Sequence, residues 1–172
     1  MREMMKTIRR RLLAGEDLVL VTVIASSGAT PRGAGARMLV GQQGRICGTI
    51  GGGAVEYRSQ EIAGEVLREK RSRDHSFTLT KDDVQKLGMI CGGACHVFFH
   101  YLAPGDSRTI ALAEEAEEGF AQGKDLWLIS DIARGGSLAL ADKTNDTLAP
   151  WLSRHPQWIQ ENDRNLYIEQ IC

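Results

Sequence analysis

A thiol, two guanidinium groups, one carboxylate and two runs of glycine carry the chemistry that this sequence offers. Cys91 is followed directly by Gly92 and Gly93, so the thiol stands on backbone with little side-chain cover and a ligand can come close to it. Thiolates bind soft metals and accept or pass on sulfur. A buried structural cysteine is the commoner fate of a free thiol, and both readings stay open here. Upstream, Gly51, Gly52 and Gly53 separate an apolar run, Arg45 to Ile50, from a helical pattern that begins at Ala54. Amides at the mouth of that helix, with the positive end of its dipole, form an anion site, so a phosphate-bearing ligand is the first expectation. The plainer reading is a tight strand-to-helix connection that binds nothing. Arg32 and Arg37 flank the same cluster and offer guanidinium forks to phosphate oxygens. Glu56, in the first helical turn, either answers the dipole or hydrogen-bonds a ligand at the same mouth.

Other chemistries find less support. Cys95, His96 and His100 suggest zinc together with Cys91, but on a strand the histidines point away from Cys95 and one tetrahedral site is hard to build. Gly33-Ala34-Gly35 lacks the third glycine of a dinucleotide fingerprint and leads into a strand, and no glycine loop ends in Gly-Lys-Ser/Thr. There is no Gly-x-Ser-x-Gly elbow, and the adjacent carboxylates Asp82 and Asp83 diverge in direction and are better placed to cap a short helix.

The elements that must position these residues read as α/β. Met5, Ile8 and Leu12 share a helical face that Gly15 ends, and the β-branched run Leu18 to Ala25 fits a strand covered on both faces. Strands are expected at Ala36 to Val40 and Arg45 to Ile50, then a helix from Ala54 to about Arg71 with Val55, Ile62 and Val66 inward. Ser76 to Thr80, Cys95 to Leu102, Leu126 to Ala133, Ser137 to Ala141 and Leu166 to Ile171 follow as strands. A short helical turn is expected at Asp82 to Leu87, a helix at Arg108 to Gln122, and a helical piece around Pro150 to Ser153. Gly15-Glu16-Asp17-Leu18 and Gly123-Lys124-Asp125-Leu126 echo each other, suggesting a helix-strand-hairpin unit used twice, the second copy stripped to Arg134-Gly135-Gly136. The fold class expected is therefore a mixed β-sheet flanked by helices in one domain over residues 1–172, with a motif-bearing part at 1–102, a weaker second unit at 103–172, and no Rossmann domain.

At 172 residues, 42% hydrophobic and 25% charged, the chain is long enough for one substantial core, and a net charge of −1 leaves no basic footprint for nucleic acid. No apolar run approaches the ~20 residues of a membrane span, and the charged, amphipathic start does not read as a signal peptide. A cytoplasmic protein with reduced thiols at Cys47, Cys91, Cys95 and Cys172 is expected.

Four linked motifs carry a family resemblance. Gly28-Ala29-Thr30-Pro31-Arg32, Gly35-Ala36-Arg37-Met38-Leu39-Val40, Gly48-Thr49-Ile50-Gly51-Gly52-Gly53 with Glu56, and Met89-Ile90-Cys91-Gly92-Gly93, in that order, resemble the XdhC/CoxI family. The likeness is strong over about residues 10 to 102 and weaker beyond, up to Tyr167-Ile168-Glu169. It implies an accessory protein for molybdenum hydroxylases such as xanthine dehydrogenase. Such a protein binds the molybdenum cofactor (molybdopterin) transiently, protects it while a cysteine desulfurase replaces an oxo ligand by sulfur, and delivers it to the apoenzyme. The implied cofactor site is Arg32, Arg37, Gly51, Gly52, Gly53, Glu56, Cys91, Gly92 and Gly93, with Cys91 the candidate thiol near molybdenum. A homodimer follows by family analogy only. A cofactor-binding chaperone fits better than an enzyme. The alternatives are a sulfurtransferase that uses Cys91 as persulfide carrier and a docking module between desulfurase and hydroxylase. Ala29 stands where the family usually has serine, and the chain stops before the Rossmann-like C-terminal domain of typical members, so nothing that depends on that domain is carried over.

Overall fold

A computed structural model describes residues 1–28, 33–78 and 93–172. The helical turn expected at Asp82 to Leu87 lies outside the described residues. The chain falls into two compact units, Leu18–Tyr101 in one and Met1–Asp17 with Leu102–Cys172 in the other.

The Leu18–Tyr101 unit is built on a five-stranded sheet in the order β3-β2-β1-β5-β4, with β1 at Leu18–Gly28, β2 at Arg37–Gly41, β3 at Gly44–Thr49, β4 at Arg73–Thr78 and β5 at Gly93–Leu102. Central β1 is buried from Leu18 to Ile24, which is why its sequence is a continuous apolar run and not an alternating one. Val19, Val21 and Val23 share a core with Met38, Val97 and Phe99 and with Val55, Ile62 and Val66 of α2, Gly53–Glu69. One strand face is thus matched to one helix stripe, period two against period 3.6. The β2–β3 hairpin carries a register shift at Leu39/Val40, a bulge that leaves Ile46 extra and twists this edge of the sheet. Arg45 at that edge donates to the carbonyl of Gly48 at 2.7 Å.

In the other unit α1, Arg2–Leu13, buries Met4, Met5, Ile8 and Leu12, and α3, Ser107–Ala121, buries Leu112, Ala113, Ala116 and Phe120. The two helices pack together and are tied by Arg9 and Glu117 at 2.6 Å. Asp106 starts α3 by accepting from the amide of Arg108 and the hydroxyl of Thr109. Strands β6 (Trp127–Asp131), β7 (Ser137–Ala141), β8 (Gln157–Glu161) and β9 (Arg164–Gln170) form a sheet in the order β7-β6-β9-β8, every pair antiparallel. Its core is Trp127, Ile129, Ala141, Ile159 and Ile168. The Trp127 indole donates to the carbonyl of Ser153 at 2.7 Å.

The α/β class expected from the sequence is the one found, with two sheets. Two details differ. β6 ends at Asp131 instead of Ala133, because Ile132–Arg134 turn into a 3-10 helix that the amide of Gly136 closes on the carbonyl of Asp131 at 2.8 Å. β8 is a strand that no alternating run in the sequence announces. Its signal is the pair Asn162-Asp163, both with left-handed φ, 49° and 63°, the residues a two-residue hairpin turn of the primed kind selects. The echo between the two helix exits is real in geometry. Glu16 and Lys124 donate back to Arg11 and Gly119 at 3.0 Å each, and Gly15 and Gly123 take left-handed φ of 86° and 65°, the same C-terminal cap twice.

Candidate functional site

The turn between β3 and α2 is the most heavily constrained backbone described. Gly51, Gly52 and Gly53 have φ of 117°, 73° and 64°, and Gly52 combines its φ with ψ of −167°, a region that essentially only glycine enters. A Cβ at Gly52 would touch nothing. Backbone strain, not crowding, therefore demands the glycine, and the space it leaves is open.

Glu56 organises this turn from the first turn of α2. Its Oε1 accepts from the Thr49 hydroxyl at 2.5 Å, the Ile50 amide at 3.0 Å and the Gly52 amide at 3.3 Å, while Thr49 Oγ1 accepts from the Gly51 amide at 3.0 Å. Two of the three glycine amides that the sequence suggested for a phosphate, those of Gly51 and Gly52, thus already face oxygens of the chain itself. Burial pushes the Glu56 carboxyl up, but the Thr49 hydroxyl, the two amides and the charge of Arg45 together outweigh it and hold the group below the ordinary carboxylate range. None of the hydrogen bonds among the described residues goes to Oε2.

Arg37 is not a loop residue. It opens β2, opposite Thr22 on one side and Thr49 on the other, and is buried. The strand register therefore sets Arg37 beside Thr49, the residue that bonds Glu56. Gly93 is the first residue of β5. Arg32, Cys91 and Gly92 lie outside the described residues, as does the Ala29 position.

Cys95, His96 and His100 separate as strand alternation predicts. Cys95 joins the core beside α2, where burial raises its thiol pKa, and His100 is buried. His96 instead lies between two residues of β4: its Nδ1 is 2.6 Å from Ser76 Oγ and its Nε2 is 2.6 Å from Asp74 Oδ2. Sequence reasoning missed this trio and the role of Thr49. Asp74 and Ser76 alternate on one strand, but only the pairing of Ser76 with His96 reveals what they flank.

The fold and the turn define a class: an α/β protein whose glycine-locked strand-to-helix connection presents a carboxylate held by its own backbone. The XdhC and CoxI family model matches residues 12–80, which include that turn. That segment of the chain belongs to the family. It is similar to Uncharacterized protein YqeB of Escherichia coli K12, 31% identical over 133 residues that cover 77% of this chain and 23% of that one. It is also similar to the Molybdenum cofactor insertion chaperone PaoD of the same organism, 38% identical over 63 residues, 37% of this chain and 20% of that one. The chain thus matches less than a quarter of the length of either relative. A crystal structure described as a xanthine dehydrogenase from Bacillus halodurans shares the fold, with a TM-score of 0.66 and 20% identity over 98% of this chain and 52% of that one. No helix among the described residues is long and apolar enough to cross a membrane.

Proposed function

We propose that this protein is a maturation factor for a molybdenum hydroxylase: it binds the molybdenum cofactor transiently and assists its sulfuration and its insertion into the apoenzyme. The observation that carries the reading is the Glu56-held triple-glycine turn inside the segment that matches the family model, together with the likeness to a relative named as an insertion chaperone for that cofactor.

The residues present fit the cofactor in a particular way. Glu56 Oε2 suits the N–H donors on the edge of a pterin, since a carboxylate oxygen is an acceptor only. The open space over Gly52 allows a flat ring to approach the backbone. Arg32 and Arg37 are proposed to answer the negative charge of the ligand, and Cys91, carried by Gly92 and Gly93, to stand near the metal. The bound group would supply the metal and its exchangeable ligand; the chain holds and shields it. A cysteine desulfurase, the hydroxylase and a second copy of this chain are the partners the reading calls for, in the cytoplasm.

Anaerobic equilibrium binding of purified cofactor to the wild-type chain, with Glu56→Gln and Cys91→Ala variants checked for folding, tests this. Binding that weakens in both folded variants supports it. Absence of wild-type binding, or equal binding by all three proteins, overturns it.

A further inference from the structure

Away from the glycine turn, β4 and β5 set a hydroxyl, an imidazole and a carboxylate in line. Ser76 Oγ lies 2.6 Å from His96 Nδ1, and His96 Nε2 lies 2.6 Å from Asp74 Oδ2. Asp74 and Ser76 alternate on β4, and His96 stands opposite Ser76 on β5, so the three side chains share one sheet face. Phe77 and Cys95, one residue out of step, pack on the other face with the core beside α2. Both ring nitrogens are engaged, each by the partner that nucleophile activation requires. With the ring proton on Nε2, the Ser76 hydroxyl donates to Nδ1 and Nε2–H donates to the carboxylate.

We propose that Ser76 is a nucleophile with His96 as its general base and Asp74 as the positioning residue of the ring, and that the trio hydrolyses small neutral carboxylic esters. Such roles follow geometry and not chain order. Ser76 is exposed, and a cavity of about 260 Å³ at the ends of β1, β4 and β5 adjoins it and His96. Among the described residues no Lys or Arg lines that cavity, which selects an uncharged substrate. Thr78, two residues on in β4, and Ser26 line it as well. Val19, Val21 and Val23 of β1 face α2, so Ser26 stands on the trio's side, and both hydroxyls are donors for a carbonyl oxygen as it gains charge. In the reaction Ser76 Oγ adds to the ester carbonyl carbon and passes its proton to Nδ1, while Nε2–H stays on Asp74. Collapse breaks the bond to the alkoxy oxygen, and the alcohol leaves with that proton. Water then adds to the acyl-serine and gives a proton to Nδ1; collapse releases the carboxylic acid, and the proton returns to Ser76 Oγ. Ester and water give acid and alcohol, with no other reactant. None of these residues belongs to the Glu56 turn, so the activity is separate from the maturation reading.

Two reagents test this on the full chain: a fluorophosphonate, read by peptide mass spectrometry, and p-nitrophenyl acetate, read by release of p-nitrophenolate. Each variant is checked for folding by circular dichroism. The expected results are phosphonylation of Ser76 with loss of fluoride, and ester turnover that disappears in Ser76→Ala. His96→Gln should slow both reactions about a hundredfold, the contribution of a positioned general base. Asp74→Asn should lower the acylation rate constant at an unchanged half-saturating ester concentration, and Asp74→Glu should restore part of it. A trio that only fastens β4 to β5 would move none of these readouts. Molybdenum cofactor binding by Ser76→Ala should equal that of the wild type, so the two readings fail separately. Absence of label on Ser76, or ester turnover in folded Ser76→Ala equal to that of the wild type, overturns the assignment.

Discussion

Two glycine turns in this chain begin alike and end differently. At residues 131–136 the loop closes on itself: the Gly136 amide meets the carbonyl of Asp131 at 2.8 Å, Gly135 and Gly136 take left-handed φ of 68° and 84°, and the Asp131 carboxylate lies 3.8 Å from a largely exposed Arg134. At residues 49–56 the loop stays open, and a carboxylate from the next helix gathers its donors. Glycine content does not distinguish the two. The partner of the freed amides does: a main-chain carbonyl closes one turn on itself, whereas a side-chain carboxylate gathers the donors of the other.

Removing the carboxylate should hurt most. Glu56→Ala strips the acceptor from the Thr49 hydroxyl and the Ile50 and Gly52 amides, and should cost about 2 kcal/mol in urea unfolding. A loss below ~0.5 kcal/mol would put the two turns in the same category. The same contact has a pH signature. Because the folded carboxyl titrates below its ordinary 4.5, its stabilisation is complete above that pH and drains as pH falls through the lower folded value. The stability gap between wild type and Glu56→Gln should therefore narrow in acid, and a gap that widens would contradict the assigned bonds.

The second unit offers smaller effects. At Gly119, an added Cβ would lie 2.2 Å from Leu126 Cδ1; overpacking of ~2 kcal/mol, partly offset by the ~1 kcal/mol that alanine gains in a helix, leaves Gly119→Ala about 1 kcal/mol less stable. Asp163→Gly relieves a left-handed φ of 63° in the β8–β9 turn and should raise stability by roughly 0.5 kcal/mol, as a shift in denaturant midpoint. Asp131→Ala, which leaves the main-chain closure intact, should change stability by less than ~0.5 kcal/mol. A larger loss would show that the 131–136 turn depends on its side chain after all.

Much of this was legible in the residues. Met5, Ile8 and Leu12 announced α1, the β-branched run from Leu18 announced a central strand, and Gly15 and Gly123 announced the same helix exit. β8 was harder: Trp158 and Ile159 sit among prolines and polar residues, and the strand exists because Asn162-Asp163 turn it back onto β9. Glu56 was visible as a first-turn acid, but not its bonds to Thr49 and Ile50, since those depend on the angle at which three glycines deliver the helix.

By itself, the sequence determined the local geometry: where helices stop, which faces are apolar, and that three consecutive residues must accept backbone angles closed to side chains. These are short-range effects, settled by steric limits on φ and ψ and by hydrophobic period. Tertiary structure alone decided which groups meet. The pairing of β4 with β5 set His96 between Asp74 and Ser76, and the pairing of β2 with β3 brought Arg37 opposite Thr49. Those partners lie 12 to 22 residues apart in the sequence, and a slip of one residue in register would turn each of them to the other face of the sheet.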